Sequence, residues 1–224
     1  MDKKQLSIKD KVCFKLVELF PGETYKVHSA EIVTVVEWEI FDRTKWTLRT
    51  FESSIYYEWE IEARVSSLIA LVELRNEDIV LNKIDVDKEF WEYCRHHWTK
   101  WVDISKNEED EKLDLYKSHE IEYEFMWTKY MWNCWFCWKN VDCGFHNEHD
   151  FIEVHTCIAW DWYMQKSIDW TDKTLIETVW LLPWNTHRVF AIEWEYEDNW
   201  DPKYPFHRWL GGSTWNVWLV IEKY

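Results

Sequence analysis

The stretch CWFCWKNVDCGFHNEH, residues 134–149, crowds three cysteines and two histidines into sixteen positions, and these are the side chains that hold zinc. A structural zinc needs four donors at the corners of a tetrahedron, each about 2.0–2.3 Å from the ion. In an extended strand, side chains three apart project to opposite faces and sit roughly 10 Å apart along the chain. Cys134 and Cys137 therefore miss each other if the segment is a strand, and Trp135, Phe136 and Trp138 around them include no glycine to fold the backbone into a knuckle. Cys143, His146 and His149 fall in an expected hairpin loop and remain the metal candidates. The pattern as a whole favours buried thiols and loop histidines, so no metal and no cofactor is expected.

Other chemistry is sparser. The runs EWE, EWEIE and EWEYE pair carboxylates with indoles, as a sugar-cleaving cleft would. Strand alternation sends the glutamates to the face opposite the tryptophans, which predicts an acidic outer face over an aromatic core. His97 lies on an apolar arc and reads as a core histidine satisfied by a hydrogen bond. There is no Gly-x-Ser-x-Gly, and glycines at 22, 144, 211 and 212 alone leave no phosphate-cradling loop. No catalytic residue is assigned, and the chain is not expected to be an enzyme.

The elements that must position these residues are mostly strands. In IYYEWEIEARV, Ile55, Tyr57, Trp59, Ile61, Ala63 and Val65 share one face, and the same period of two returns in HEIEYEFMW and VFAIEWEYE. Further strands are expected over 11–20, 25–41, 45–52, 68–75, 79–86, 151–164, 174–182 and 213–223, antiparallel because the connections are short. One segment switches period: Phe90, Trp91, Tyr93, Cys94, His97, Trp98, Trp101 and Val102 recur every three or four residues, predicting an amphipathic helix over about 87–104 with Asp87 as N-cap. Ten or more strands with one helix point to a mainly β fold, an antiparallel β-barrel or a two-sheet β-sandwich. The 224 residues have room for one sizeable core or two small ones, and a single domain over 1–224 is expected.

A net charge of −16 opposes nucleic acid and anionic membranes, and no apolar run reaches the roughly 18 residues of a membrane helix. Without a signal-peptide core at its N-terminus, the chain reads as soluble and intracellular. No partner is expected, although the aromatics of 213–223, Trp215 and Trp218, leave a homodimer seam open. Glycine is scarce, at 4 residues, and tryptophan abundant, at 20. That imbalance predicts a designed or otherwise non-natural β scaffold without an evolved activity. The alternative is a lipocalin-like barrel binding a hydrophobic small molecule, its cavity lined by Tyr57, Trp59, Tyr123, Phe125, Trp127, Trp160, Phe190, Trp194 and Trp215.

Overall fold

The computed structural model describes residues 5–8, 12–42, 44, 46–74, 99–100, 115–117, 120–137, 139–192, 195–198, 200–213 and 216–224. Two compact units emerge, Met1–Val86 with Trp184–Arg188, and Asp87–Pro183 with Val189–Tyr224. Each unit has its own cluster of buried hydrophobic residues.

In the first unit the strands are β1 Gln5–Ile8, β2 Val12–Leu19, β3 Thr24–Lys26, β4 Glu31–Glu37, β5 Glu39–Asp42, β6 Thr47–Arg49, β7 Ser53–Tyr56, β8 Glu60–Glu62 and β9 Ser67–Leu74. They form two antiparallel sheets, ordered β1-β2-β9-β4-β7 and β3-β8-β5-β6. Val33, Val35, Ile69 and Leu71 of the larger sheet pack with Ile40, Leu48 and Ile61 of the smaller. The single strand expected over 25–41 is three, parted before Glu31 and again at Trp38, whose φ is +69°. The strand expected over 55–65 is two, in different sheets, with Glu58 at φ +46° between them. That break slips the parity, so Tyr56 is buried and Tyr57 faces outward at 48% exposure.

One buried polar group lies on the inner face of this unit. Lys15 Nζ is 3.3 Å from Glu31 Oε1, and the Tyr25 hydroxyl donates to the same oxygen at 3.2 Å. Burial pushes the Glu31 carboxyl above its ordinary range, against the pull of Lys15 and Tyr25. Burial also raises Tyr25, to about 12.

The second unit contains β10 Thr99–Lys100, β11 Leu115–Lys117, β12 Ile121–Phe125, β13 Thr128–Cys137, β14 Ile152–Ala159, β15 Trp162–Ser167, β16 Leu175–Leu181, β17 Phe206–Gly211 and β18 Asn216–Lys223, with one turn of 3-10 helix at Asp172–Thr174. One sheet runs β10-β11-β13-β18-β14, with β12 also on β13, and the other β16-β15-β17. Cys137, Cys157, Trp218 and Val220 of the first face Trp162, Met164, Leu181 and Trp209 of the second. The plan echoes the first unit: β18 lies between β13 and β14 as β9 lies between β2 and β4. Strands β14 and β18 are buried on both faces, which is why their sequences run apolar beyond simple alternation.

Several expectations need correction. Among the described residues no sheet closes on itself, so the barrel gives way to paired open sheets. Most of the helix expected over 87–104, His97 included, lies outside the described residues, as does the strand expected over 79–86; Thr99 and Lys100 pair with β11 as a short strand. The strand expected over 189–197 is irregular where described, with only Tyr196 bridged to Pro202. Among the described residues no helix is long and apolar enough to cross a membrane.

Turn geometry explains how a chain so poor in glycine folds at all. Nine described non-glycine residues adopt positive φ, five of them tryptophans: Trp38, Trp127, Trp160, Trp184 and Trp200. Met126 at +48° and Trp127 at +71° form the two-residue turn between β12 and β13, a geometry that suits Asn-Gly and strains a bulky side chain. Trp127 gains nothing in return, being 95% exposed.

The double change Met126→Asn with Trp127→Gly is expected to stabilise the protein by roughly 1 kcal/mol, read from the urea midpoint at unchanged slope. Lys15→Met is expected to cost roughly 2–3 kcal/mol, because it strands the buried Glu31 carboxylate. A carboxyl whose folded pKa is raised keeps its favoured proton at low pH and loses stability as pH climbs past its unfolded value of 4.5. The Lys15→Met deficit should therefore shrink near pH 4, and adding Glu31→Gln should recover most of it at pH 7.

Candidate metal site in the second unit

The inner face of the larger sheet turns polar toward one end. On β14 the residues sharing that face are Cys157, His155 and Glu153, and they pair across with Trp218, Val220 and Glu222 of β18. The loop after β13 then crosses over this polar end. Asn140 N–H donates to the Gly212 carbonyl at 3.0 Å, and His146 and His207 exchange backbone hydrogen bonds of 3.0 and 2.9 Å. That exchange fixes the two histidines opposite one another, and three residues later the loop delivers His149.

The result is a cluster of His146, His149 and His207, with one ring nitrogen of each within 4.8 Å of the others. His207 is buried and the other two are half-buried. His149 Nε2 and His207 Nε2 are 3.1 Å apart. Glu153 Oε1 lies 3.6 Å from His207 Nε2 and 3.8 Å from His149 Nε2, while Oε2 is held by His155 Nε2 at 3.2 Å. The Glu153 backbone N–H donates to the Tyr204 hydroxyl at 3.0 Å.

Two tautomers follow from the partners. A carbonyl only accepts, so His207 Nδ1–H donates to Pro205 O at 2.9 Å and His146 Nδ1–H to Gly144 O at 3.1 Å. In the neutral rings this leaves both Nε2 lone pairs turned to the cluster, and the proton between His149 Nε2 and His207 Nε2 must shift to His149 Nδ1 before His149 Nε2 can ligate an ion. Burial lowers the pKa of His146, as does the nearby His207, and burial lowers His149 to about 4 despite the Glu153 charge. Burial alone would raise Glu153, but His155, His207 and His149 outweigh it and hold the carboxylate well below its ordinary range. Beside the cluster opens a cavity of about 470 Å³ walled by Trp135, Trp209, Trp218, Phe145 and Phe151.

Of the three metal candidates from the sequence, His146 and His149 meet in the cluster. The Cys143 thiol is engaged elsewhere, donating to Gly144 O at 3.4 Å and accepting from Trp209 N–H at 3.2 Å. Cys134 and Cys137 lie in one strand; both are buried free thiols, with Cys137 donating to Asn216 Oδ1 at 3.0 Å. His207 and Glu153 were missed, since one lies 58 positions from His149 and the other alternates as an outward glutamate would. The aromatics expected to line a lipocalin-like cavity are spread over both units. Trp59 and Tyr57 belong to the first unit, Trp127 is exposed, Tyr123 is half-buried, and Phe125, Trp160 and Phe190 are buried apart from the cavity lining. Trp194 and Trp215 lie outside the described residues.

No family model and no curated protein matches the sequence. Solved structures similar to the chain include a cupin 2 conserved barrel domain protein from Leptotrichia buccalis, 10% identical, covering 98% of this chain and 87% of that one at a TM-score of 0.34. An 11S globulin from Wrightia tinctoria is 8% identical over 94% and 74% at 0.38, and a mutant of Bacillus subtilis oxalate decarboxylase is 12% identical over 98% and 72% at 0.33. The likeness is one of fold and spans an enzyme and a globulin alike. Against the expectation of a non-natural scaffold, or of a lipocalin-like barrel, these similar structures are those of natural proteins, one of them described as a cupin 2 conserved barrel domain protein. The composition misleads because positive φ, which usually calls for glycine, is adopted here by other residues.

Acid should loosen the second unit through this cluster. The unfolded chain protonates His149 near 6.5 but the folded chain only near 4, so stability falls as pH drops through that window, and His146 acts in the same direction. Glu153, whose folded pKa is depressed, adds a further loss below about 4.5. His149→Gln is expected to flatten the decline in urea midpoint between pH 7 and pH 4.5 relative to the parent chain.

Proposed function

We propose that the second unit binds one divalent transition-metal ion through the Nε2 atoms of His146, His149 and His207 and a carboxylate oxygen of Glu153, and presents it to a small molecule in the adjoining cavity. The observation that carries this is the convergence of three imidazole nitrogens within 4.8 Å beside the ionised Glu153. Three imidazoles with one carboxylate suit zinc, iron, manganese, nickel or cobalt better than calcium or magnesium.

The surroundings fit such a group. His146 and His207 each donate the far ring N–H to a backbone carbonyl, the arrangement that orients a ligating imidazole. His155 holds the second Glu153 oxygen and so fixes the rotation of that carboxylate. When bound, the ion supplies a Lewis acid that polarises an oxygen of the ligand. The chain's own residues orient the donors, keep His146 and His149 neutral so that their lone pairs are available, and exclude water with tryptophan and phenylalanine walls.

The test is metal content by mass spectrometry after loading the full chain separately with Mn²⁺, Fe²⁺ or Zn²⁺ and desalting. About one ion per chain is expected for at least one metal, lost in His207→Ala, with affinity reduced about 10–100-fold in His155→Phe. A parent chain that retains no stoichiometric ion, or a His207→Ala variant that binds as well as the parent, would overturn the reading.

A further inference from the structure

We infer that the cavity selects an uncharged aromatic ligand over small carboxylate anions; this deepens the proposed function and rests on it for the metal that would form the cavity floor. The walls are flat and aromatic. Trp135 and Trp218 stack at 6.1 Å with planes 19° apart, and Trp209 lies 5.1 Å from Trp218. Trp135 and Trp218 are cross-strand neighbours on one sheet, and a wall of such indoles offers a planar guest a face for offset stacking. The volume of about 470 Å³ falls within the roughly 300–1,000 Å³ of organic ligand sites, and a two-carbon diacid would leave most of it unfilled.

Charge points the same way. Glu148 and Glu222 line the cavity in addition to Glu153, and no lysine or arginine is among the described lining residues. A neighbouring cation, Arg208, is turned away by strand parity. On β17 the side chains of His207 and Trp209 face inward, so Arg208 between them faces out. There its guanidinium is spent on Gln165 Oε1 at 2.8 and 2.9 Å, Asp142 Oδ2 at 3.0 Å and Asp172, with its carbon 4.3 Å over the Phe145 ring. An anion entering the cavity would meet the carboxylates of Glu148 and Glu222 besides the proposed ligand Glu153 and, among the described lining residues, no lysine or arginine. A neutral aromatic avoids that penalty and keeps the stacking.

The test is isothermal titration of the metal-loaded full chain with 2-naphthol, 2-naphthoate and oxalate, the metal content being measured on the same sample. Naphthol should bind at least about tenfold tighter than naphthoate, with oxalate weakest. Glu148→Lys, a change at an exposed loop position, should narrow the naphthol-to-naphthoate ratio on the order of tenfold. Tighter binding of either anion, no binding of naphthol, or a ratio indifferent to Glu148→Lys would overturn the inference. The two failures separate cleanly: a chain that holds its ion yet prefers anions sinks the ligand selection alone, and a chain that holds no ion yet still prefers naphthol sinks the metal centre alone.

Discussion

A carboxylate buried between two sheets must be compensated, and in the second unit Glu153 is compensated by imidazoles on three sides. An uncompensated charge there would cost several kcal/mol, so strand register, loop path and core composition all have to bring His149, His155 and His207 within reach. The larger sheet supplies His155 from the same strand two residues on. The smaller sheet supplies His207, and the loop over Asn140–Phe151 supplies the rest, locked by the backbone exchange between His146 and His207. Packing and polar chemistry are here the same arrangement seen twice: Trp162 lies 5.5 Å from the His155 ring and 5.4 Å from Trp218, so the indole core forms one side of the polar cluster.

The first unit solves a similar problem differently. Its inner face also buries a carboxylate, Glu31 at the start of β4, much as Glu153 stands near the start of β14. There the partners are an ammonium that balances the charge and a phenol that hydrogen-bonds the same oxygen, and no imidazole is among the described partners. Equivalent topologies thus hold one closed ion pair and one cluster of open donors. The difference comes from a handful of side chains and not from the fold, as expected where one architecture serves many ends.

Much of the fold was legible in the sequence, for physical reasons that also mark the limits. Alternation found β2, β9, β12 and β16 because each has at least one face that must be apolar, but it merged β14 and β15 into one strand over 151–164, where Trp160 turns at positive φ. It failed at Ile55–Val65 and at 25–41, since turns there use Glu58 and Trp38 at positive φ, residues that carry no turn signal. Of the site, His146 and His149 were visible through local spacing. His207 was not, because its partnership depends on β17 pairing with the loop, and Glu153 was not, because period-two reasoning assigns glutamates to water. The sign available was local: Glu153 and His155 share one face of a strand whose other face, Val154 and Thr156, is also fit for burial.

The position of β18 has a consequence for biosynthesis. Asn216–Lys223 follows every other described strand in order of translation, yet it is the strand to which both β13 and β14 are hydrogen-bonded. Until it leaves the ribosome, Trp135 lacks Trp218 and Glu153 lacks its cross-strand neighbour, so the second unit's larger sheet waits as two unjoined halves with apolar edges. Such late, long-range closure slows folding and lengthens the interval in which nascent edges can pair wrongly. A chaperone that shields β13 and β14 during that interval would guard the sheet against which the histidine cluster is later assembled.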